Sequence, residues 1–361
     1  MAKRKALFMI CLLTVAFGLT ALVAVFAEKR EETDGLLCVT SFYPVQLLAE
    51  SVTEGAEGVT VRNLTENHTG CIHDYTLTTR DMRLLSEAEL FLINGGEMEL
   101  FLEKAASEYK DLEIVDTSKG YAFLEGVEHS HEHGEEAEHS VEFCTDPTHN
   151  HEAKVHQNEA GSCTDPSHDH REDEHEDVHA GHSHAINAHI WLDVDGYLLQ
   201  LSRVEEAFVK ADPAQEALYR NNAEACRAEL ANLRVEYEKA REALMGKKTV
   251  VFHEGFVYLL NMLGIESVHC LAMDSDTQIA AGEAAEIMEE CELHGITTLF
   301  AEEDYAKTVR DTFGKELSGE VVVLDPITGK SEVSAGETGV FLYCEIMRSN
   351  LACIGQAYGV R

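Results

Sequence analysis

Short apolar runs alternate with amphipathic segments along most of this chain, from residue 35 onward. In the first part, the runs that predict strands lie at 36–42, 59–64, 90–93 and 112–115, and the segments that predict helices lie at 44–52, 79–87 and 98–109. In the last part, predicted strands lie at 249–252, 267–271, 297–300 and 321–324, and a closing helix lies at 340–358. Strands that alternate with helices at this spacing are typical of parallel α/β sheets. We therefore predict two parallel-sheet α/β lobes, 35–212 and 247–361.

A longer helical pattern separates the two lobes. Asp212 and Pro213 form a helix-start signal, with an N-cap followed by proline at the first helical position. Apolar residues then recur at spacings of three and four as far as Leu244, and Gly246 is suited to end the helix. We predict one rigid connecting helix over 213–246, about 50 Å long at about 1.5 Å per residue.

A His- and acid-rich segment at 125–184 interrupts the first lobe. It holds 13 of the 19 histidines and repeats Cys144-Thr145-Asp146-Pro147 as Cys163-Thr164-Asp165-Pro166. So few apolar residues predict a disordered loop. Its imidazoles, neutral at pH 7, predict a weak collector of metal ions. An HExxH pattern at 175–179 is interpreted as a chance match, because the protease motif needs an ordered amphipathic helix.

The net charge and the first 34 residues bear on the partners and the location. A formal net charge of -38 disfavours nucleic acid and favours cations. Lys3-Arg4-Lys5 precedes an apolar run at 6–27 with a small-residue cleavage site at its end, which predicts export to the periplasm or cell surface. If this segment is not cleaved, it is long enough to anchor the chain in a membrane. The ten cysteines include no compact CxxC pair, so the sequence does not indicate a particular disulfide pattern.

Four side chains are candidate metal ligands. His73, His253 and Asp325 follow predicted strands, and His189 lies in an apolar, strand-like run just after the His-rich segment. In open α/β sheets, ligands bind beyond the carboxyl ends of the strands. Three imidazoles and one carboxylate form a tetrahedral set that suits zinc. With two ligands from each lobe, one ion in the cleft would hold the lobes together. Glu302 is expected beside this site.

Several short motifs, in their order and spacing, resemble the metal-binding solute receptors of ABC importers, specifically the zinc-uptake branch. The resemblance runs from about Val39 to Tyr358, except for the His-rich segment. The motifs that carry it are Ser41-Phe42-Tyr43-Pro44, His73-Asp74-Tyr75, Asn94-Gly95-Gly96-Glu97-Met98-Glu99, His189-Ile190-Trp191-Leu192-Asp193, Phe252-His253-Glu254-Gly255-Phe256-Val257-Tyr258 and Leu324-Asp325-Pro326.

The resemblance places His73, His189, His253 and Asp325 on the four metal-ligand positions of that family. It implies zinc, because the similar manganese and iron receptors carry a carboxylate where this chain has His253. Two departures stand out: Cys71 and Ile72 precede the first histidine, where the family has Asp-Pro or a glutamate, and Val194 replaces a proline. The first departure leaves a contribution of Cys71 to the site open.

These observations predict an exported receptor, not an enzyme, that captures Zn²⁺ as cargo and delivers it to the membrane permease of an ABC importer. One alternative is a manganese or iron receptor of the same fold, and another is a zinc-dependent adhesin. A third is a zinc-dependent hydrolase with Glu254 as its general base. A fourth protein ligand at Asp325 argues against hydrolysis, because it closes the coordination position that catalysis needs.

Overall fold

The first parallel sheet carries the strands predicted near the N-terminus. The computed structural model of the protein describes residues 35–66, 72–73, 75–101, 109–110, 112–126, 186–273, 279–314, 317, 319–330 and 337–360. The strands are β1 (Leu36–Thr40), β2 (Val59–Asn63), β3 (Leu90–Ile93) and β4 (Glu113–Asp116), in the order β2-β1-β3-β4. The adjacent helices are α1 (Tyr43–Val52) and α2 (Thr79–Glu87). A capping box between Thr78 and Asp81 fixes the start of α2.

A two-stranded antiparallel ribbon follows, with β5 (Leu124–Glu125) paired to β6 (Ile186–Asn187). A 3₁₀ turn (Ile190–Leu192) then leads into α3 (Val194–Ala211). A second 3₁₀ turn (Pro213–Gln215) precedes the long helix α4 (Glu216–Leu244). Its 29 residues span about 44 Å, slightly less than expected, because the first turn of the predicted helix is a 3₁₀ turn instead.

The second parallel sheet carries the strands predicted in the last part of the chain. Its strands are β7 (Lys248–Val251), β8 (Glu266–Cys270), β9 (Thr298–Ala301) and β10 (Glu320–Val323), in the order β10-β9-β7-β8. The helices are α5 (Phe256–Leu263), α6 (Ala281–His294), α7 (Glu303–Phe313) and α8 (Gly339–Ala357). The predicted fold class, two parallel-sheet α/β lobes with a long helix between them, is thereby confirmed. The residue boundaries given to the lobes stay predictions.

The helices of the two lobes share one hydrophobic core. Tyr197 of α3 and Tyr343 of α8 stack with their ring centroids 3.9 Å apart. The Tyr343 hydroxyl donates to the backbone oxygen of Trp191 at 2.6 Å, and the Trp191 indole donates to the backbone oxygen of Pro326 at 2.8 Å. At the start of α8, the backbone N–H of Val340 donates to the Ser51 hydroxyl at 2.7 Å. The connection between the lobes is therefore a packed, hydrogen-bonded core as well as a helix.

Two local predictions are wrong where the structure describes the residues. The helix predicted from residue 98 is absent at 98–101, and 102–108 lie outside the described residues. Gly95 and Gly96 adopt positive φ, and the Glu99 carboxylate accepts the backbone N–H groups of Asn94 and Gly95, which forms a loop in place of a first helical turn. The strand-like run after His189 is instead the 3₁₀ turn, because the Leu192 N–H bonds to the His189 oxygen rather than to a neighbouring strand.

Other predictions concern parts of the chain outside the described residues. These parts are the export segment at 1–34, residues 127–184 of the His-rich segment with its repeat and HExxH pattern, and Cys71. Cys38, Cys226, Cys270, Cys291, Cys344 and Cys353 carry free thiols. None of the helices formed by the described residues combines the length and the apolar character needed to cross a membrane.

Candidate metal centre

The loops at the carboxyl ends of the strands bring the predicted site residues toward one region. His73 lies between β2 and α2, and His189 opens the 3₁₀ turn that follows β6. His253 and Glu254 lie between β7 and α5, and Asp325 follows β10. This placement agrees with the general position of ligand sites in open parallel sheets.

Three side chains form a compact set of metal-ligand atoms. One ligand atom each from His73, His189 and Glu254 lies within 4.8 Å of the others, the one such group found in the part of the chain that the structure describes. The Glu254 Oε1 atom is 3.4 Å from His189 Nδ1 and 4.0 Å from His73 Nε2. The side chains of His189 and Glu254 are almost fully buried, and that of His73 is 15% exposed. Glu254 comes from the second lobe, so this group joins side chains of both.

Glu254 is the residue whose place in the site the sequence prediction missed. The sequence suggests only a general base at this position, whereas the structure places its carboxylate beside the imidazoles of His73 and His189. The available signal was its position directly after His253 at the end of a buried strand. A buried carboxylate beside imidazoles is a typical part of a zinc site.

The imidazole of His253 packs against this group and is neutral. Its ring centroid is 4.8 Å from that of His189. Burial lowers the pKa of His253 to about 4, so the imidazole is neutral at pH 7. Its Nδ1 accepts the backbone N–H of Gly255 at 3.1 Å, which places the proton of the neutral ring on Nε2. To bind an ion, the ring must therefore change its orientation or move its proton.

Gly255 packs between the two histidines and leaves no room for a side chain. A Cβ atom added there would lie 2.8 Å from Cε1 of His253 and 3.0 Å from Cβ of His189. It would also lie 2.9 Å from Leu192 Cδ1. The absence of a side chain at this position lets the second lobe approach His189 closely.

Asp325 is held firmly but lies outside the compact group formed by the described residues. Its Oδ1 accepts the backbone N–H of Ile327 at 2.7 Å. The Asn350 amide bonds both backbone groups of Asp325, at 2.9 Å and 2.8 Å. Nearby Glu302 is buried, and its pKa is raised to about 8 by burial and, more weakly, by the charges of Asp304 and Asp325.

Besides the Glu254 carboxylate and the other imidazoles, two uncharged side chains contact His189. Its Nδ1 lies 2.9 Å from Oδ1 of Asn187, whose side-chain N–H donates to the backbone oxygen of Glu254 at 2.8 Å. The Trp191 ring packs against the imidazole with the centroids 4.9 Å apart. Two imidazoles with a buried carboxylate form a mixed N/O donor set, which fits zinc better than the all-oxygen sets that magnesium and calcium prefer.

Comparison with known proteins identifies the family of the chain. The family model described as zinc-uptake complex component A periplasmic matches residues 38–357. The chain is 25% identical over 357 residues to the zinc-binding protein AdcA of Streptococcus pyogenes, and this match covers 97% of the chain and 60% of that relative. It is 24% identical over 322 residues to the high-affinity zinc uptake system protein ZnuA of Bacillus subtilis, a match that covers 88% of the chain and 86% of the relative.

A solved structure shows the same fold. The crystal structure of Zn(II)-bound AdcA from Streptococcus pneumoniae matches with a TM-score of 0.65 at 19% identity, covering 90% of this chain and 58% of that one. The chain thus spans about 60% of the length of the Streptococcus pyogenes relative. The family model covers nearly all of the sequence outside the N-terminal segment, and on that ground the chain belongs to the family of the periplasmic component A of zinc-uptake complexes.

Proposed function

We propose that the chain is an exported receptor that captures Zn²⁺ as cargo and delivers it to the membrane permease of an ABC importer. The observation that carries the proposal is the compact group of His73, His189 and Glu254, whose ligand atoms lie within 4.8 Å of one another. Family membership supports the transport role. The net charge of -38 supports a cation as the cargo and argues against nucleic acid as a partner.

The proposed ligands are His73, His189, His253 and Asp325, as the sequence predicts, with Glu254 as an additional carboxylate. His73 and His189 already lie beside Glu254, so an entering ion meets these three first. His253 then joins the ion when its ring gives up the bond from Gly255. Asp325 completes the set if the second lobe tilts toward the first. The core shared by the lobes favours a small tilt over a wide swing.

The role is transport rather than catalysis. A catalytic zinc site needs an open coordination position and a general base. Glu254, the residue considered for the base, lies among the ligand atoms themselves, where an ion would engage its carboxylate. We expect no metal-dependent hydrolysis of esters or peptides by the zinc-loaded protein, and measurable turnover would contradict this assignment.

Metal content and calorimetric titration of the purified full chain test the binding role. One Zn²⁺ should bind tightly, and Mn²⁺ should compete poorly. His189→Ala should remove the tight site while weak binding by the His-rich segment persists. His294→Ala serves as the control, because His294 pairs with Glu290 on α6, remote in sequence from the site. Retention of the tight site in His189→Ala would refute the proposed centre.

Two further variants test whether Glu254, Asp325 or both bind the ion. Glu254→Gln keeps the shape of the side chain but removes its charge, and Asp325→Asn does the same at the predicted ligand. If Glu254 binds the ion, Glu254→Gln weakens Zn²⁺ binding strongly. Wild-type affinity in Glu254→Gln together with a large loss in Asp325→Asn would assign the site to the originally predicted set alone.

A further inference from the structure

Asn187 contacts a proposed ligand and the opposite lobe with the same side chain. Its oxygen faces His189, and its nitrogen donates to the backbone oxygen of Glu254. We propose that Asn187 is a positioning residue that holds His189 as an Nε2 ligand and ties that ligand to the backbone of Glu254. This inference rests on the function proposed above, since it concerns how the same site binds its ion.

The orientation of the Asn187 amide is fixed by its other contacts. Oδ1 accepts the backbone N–H of His189 at 3.1 Å, and Nδ2 donates to the carbonyl of Glu254 at 2.8 Å. A flipped amide would set N–H against N–H and oxygen against oxygen at these two places. Oδ1 is therefore the atom 2.9 Å from His189 Nδ1.

An amide oxygen only accepts hydrogen bonds, so the ring nitrogen beside it must carry a proton. In a neutral imidazole, a proton on Nδ1 leaves the lone pair of Nε2 available for a metal ion. Metal-binding histidines commonly donate their second ring N–H to such an outer partner, which fixes both the tautomer and the ring orientation. Asn187 provides this partner without adding a charge.

Two features hold Asn187 in place. The residue is only 2% exposed, and its backbone oxygen accepts the Tyr258 hydroxyl at 2.8 Å. The same hydroxyl accepts the backbone N–H of Leu124 at 3.0 Å. Glu254 Oε1 also faces His189 Nδ1, but at the longer distance of 3.4 Å. With Asn187 as the nearer acceptor, the Glu254 carboxylate stays available to the ion.

The test uses two substitutions in the full chain. Asn187→Leu removes both polar atoms at similar size, and Asn187→Asp keeps an acceptor for the imidazole. Asn187→Leu should weaken Zn²⁺ binding by roughly 10- to 100-fold, the usual effect of losing an outer partner of a metal-binding histidine. Asn187→Asp should recover most of that loss. Nitrogen-15 NMR of the metal-free protein should show His189 protonated at Nδ1 in the wild type and in Asn187→Asp, but a tautomer mixture in Asn187→Leu.

Asn222→Leu is the matched control, because Asn222 also donates to two backbone carbonyls, those of Val52 and Glu54, away from the site. Its zinc affinity and His189 tautomer should equal those of the wild type. Unchanged affinity in Asn187→Leu would overturn the inference, and so would an unchanged tautomer, since Glu254 would then orient the ring. The tautomer is measured without metal, so it distinguishes failure of this inference from failure of the wild type to bind zinc.

Discussion

Two regions connect the lobes, and they are built from different chemistry. In the aromatic region, Tyr197 stacks on Tyr343, and the Tyr343 hydroxyl bonds to the backbone of Trp191. In the metal region, His189 faces Glu254 at 3.4 Å, and the rings of His189 and His253 lie 4.8 Å apart. The first region consists of groups whose charge does not change between pH 4 and 8, whereas the second consists of the imidazoles and the carboxylate that we propose as zinc ligands.

This difference separates a region that stabilises the fold under all conditions from a region expected to change with pH and with bound metal. The aromatic region supplies buried apolar area and therefore holds the lobes together whether or not an ion is bound. We expect the packing of the metal region to depend on the protonation of His253 and on bound zinc. The stiff connection predicted for the long helix thus has a second source, because α8 and α3 pack together across the boundary between the lobes. Any closure around the ion must take place without breaking that contact.

Tyr343→Ala should have the largest effect. It removes a fully buried ring that stacks at 3.9 Å and a hydroxyl bonded at 2.6 Å. The free energy of unfolding should fall by about 3–5 kcal/mol, as for other buried aromatic residues truncated to alanine. Chemical denaturation of the metal-free and zinc-loaded protein measures this, and the loss should be the same in both states.

Phe341→Ala on the same helix is the control, since that ring is 40% exposed, and its loss should stay below about 1 kcal/mol. If Tyr343→Ala cost no more than this control, the aromatic region would not be the main connection. A loss confined to the zinc-loaded protein would show that the two regions are not separate.

His253 should make the stability of the metal-free protein depend on pH. Burial lowers its pKa in the folded protein to about 4, from 6.5 in the unfolded chain. The stabilisation is therefore complete above pH 6.5 and is lost as the pH falls from 6.5 to 4, because the unfolded chain takes up a proton that the folded protein does not. The difference between these two pKa values corresponds to about 3 kcal/mol of the free energy of unfolding.

His253→Asn tests this prediction, because its side-chain oxygen can still accept the Gly255 N–H but does not titrate. As the pH falls from 7 to 4, the free energy of unfolding of this metal-free variant should decrease by about 3 kcal/mol less than that of the wild type. Tyr343→Phe, an aromatic-region variant, should follow the wild-type pH dependence. If the free energy of unfolding of His253→Asn and that of the wild type depended on pH in the same way, His253 would not be held neutral by burial.

The sequence was sufficient to predict the strands of both parallel sheets and most of the helices. Apolar runs such as 90–93 gave strand β3 with its observed bounds, and the amphipathic segment at 79–87 gave α2. These elements can be predicted because buried positions and helix ends require particular residue types at regular spacings in the sequence.

The parts that sequence could not predict depend on contacts between distant segments. The loop at 98–101 exists because Glu99 turns back to the Asn94 and Gly95 backbone, a contact that no periodicity reveals. The approach of Glu254 to His189 and His73 depends on how the lobes pack, and so does the double contact of Asn187. Identifying such positions requires the assembled core, even though the residues themselves were visible in the motifs.

Apart from the controls, Gly255→Ala should have the smallest effect of these variants, and it acts on the metal region alone. The backbone at Gly255 has φ -59, so alanine causes no backbone strain, but its Cβ would crowd His253 Cε1 at 2.8 Å and His189 Cβ at 3.0 Å. Displaced rings should weaken zinc binding roughly tenfold, or about 1.4 kcal/mol. Gly282→Ala is the control: nothing lies within 4 Å of its added Cβ, and in helix α6 it should leave zinc affinity unchanged and slightly raise stability. Equal zinc affinities in the two variants, measured by competition with a chelator, would show that the close approach at Gly255 does not position the histidines.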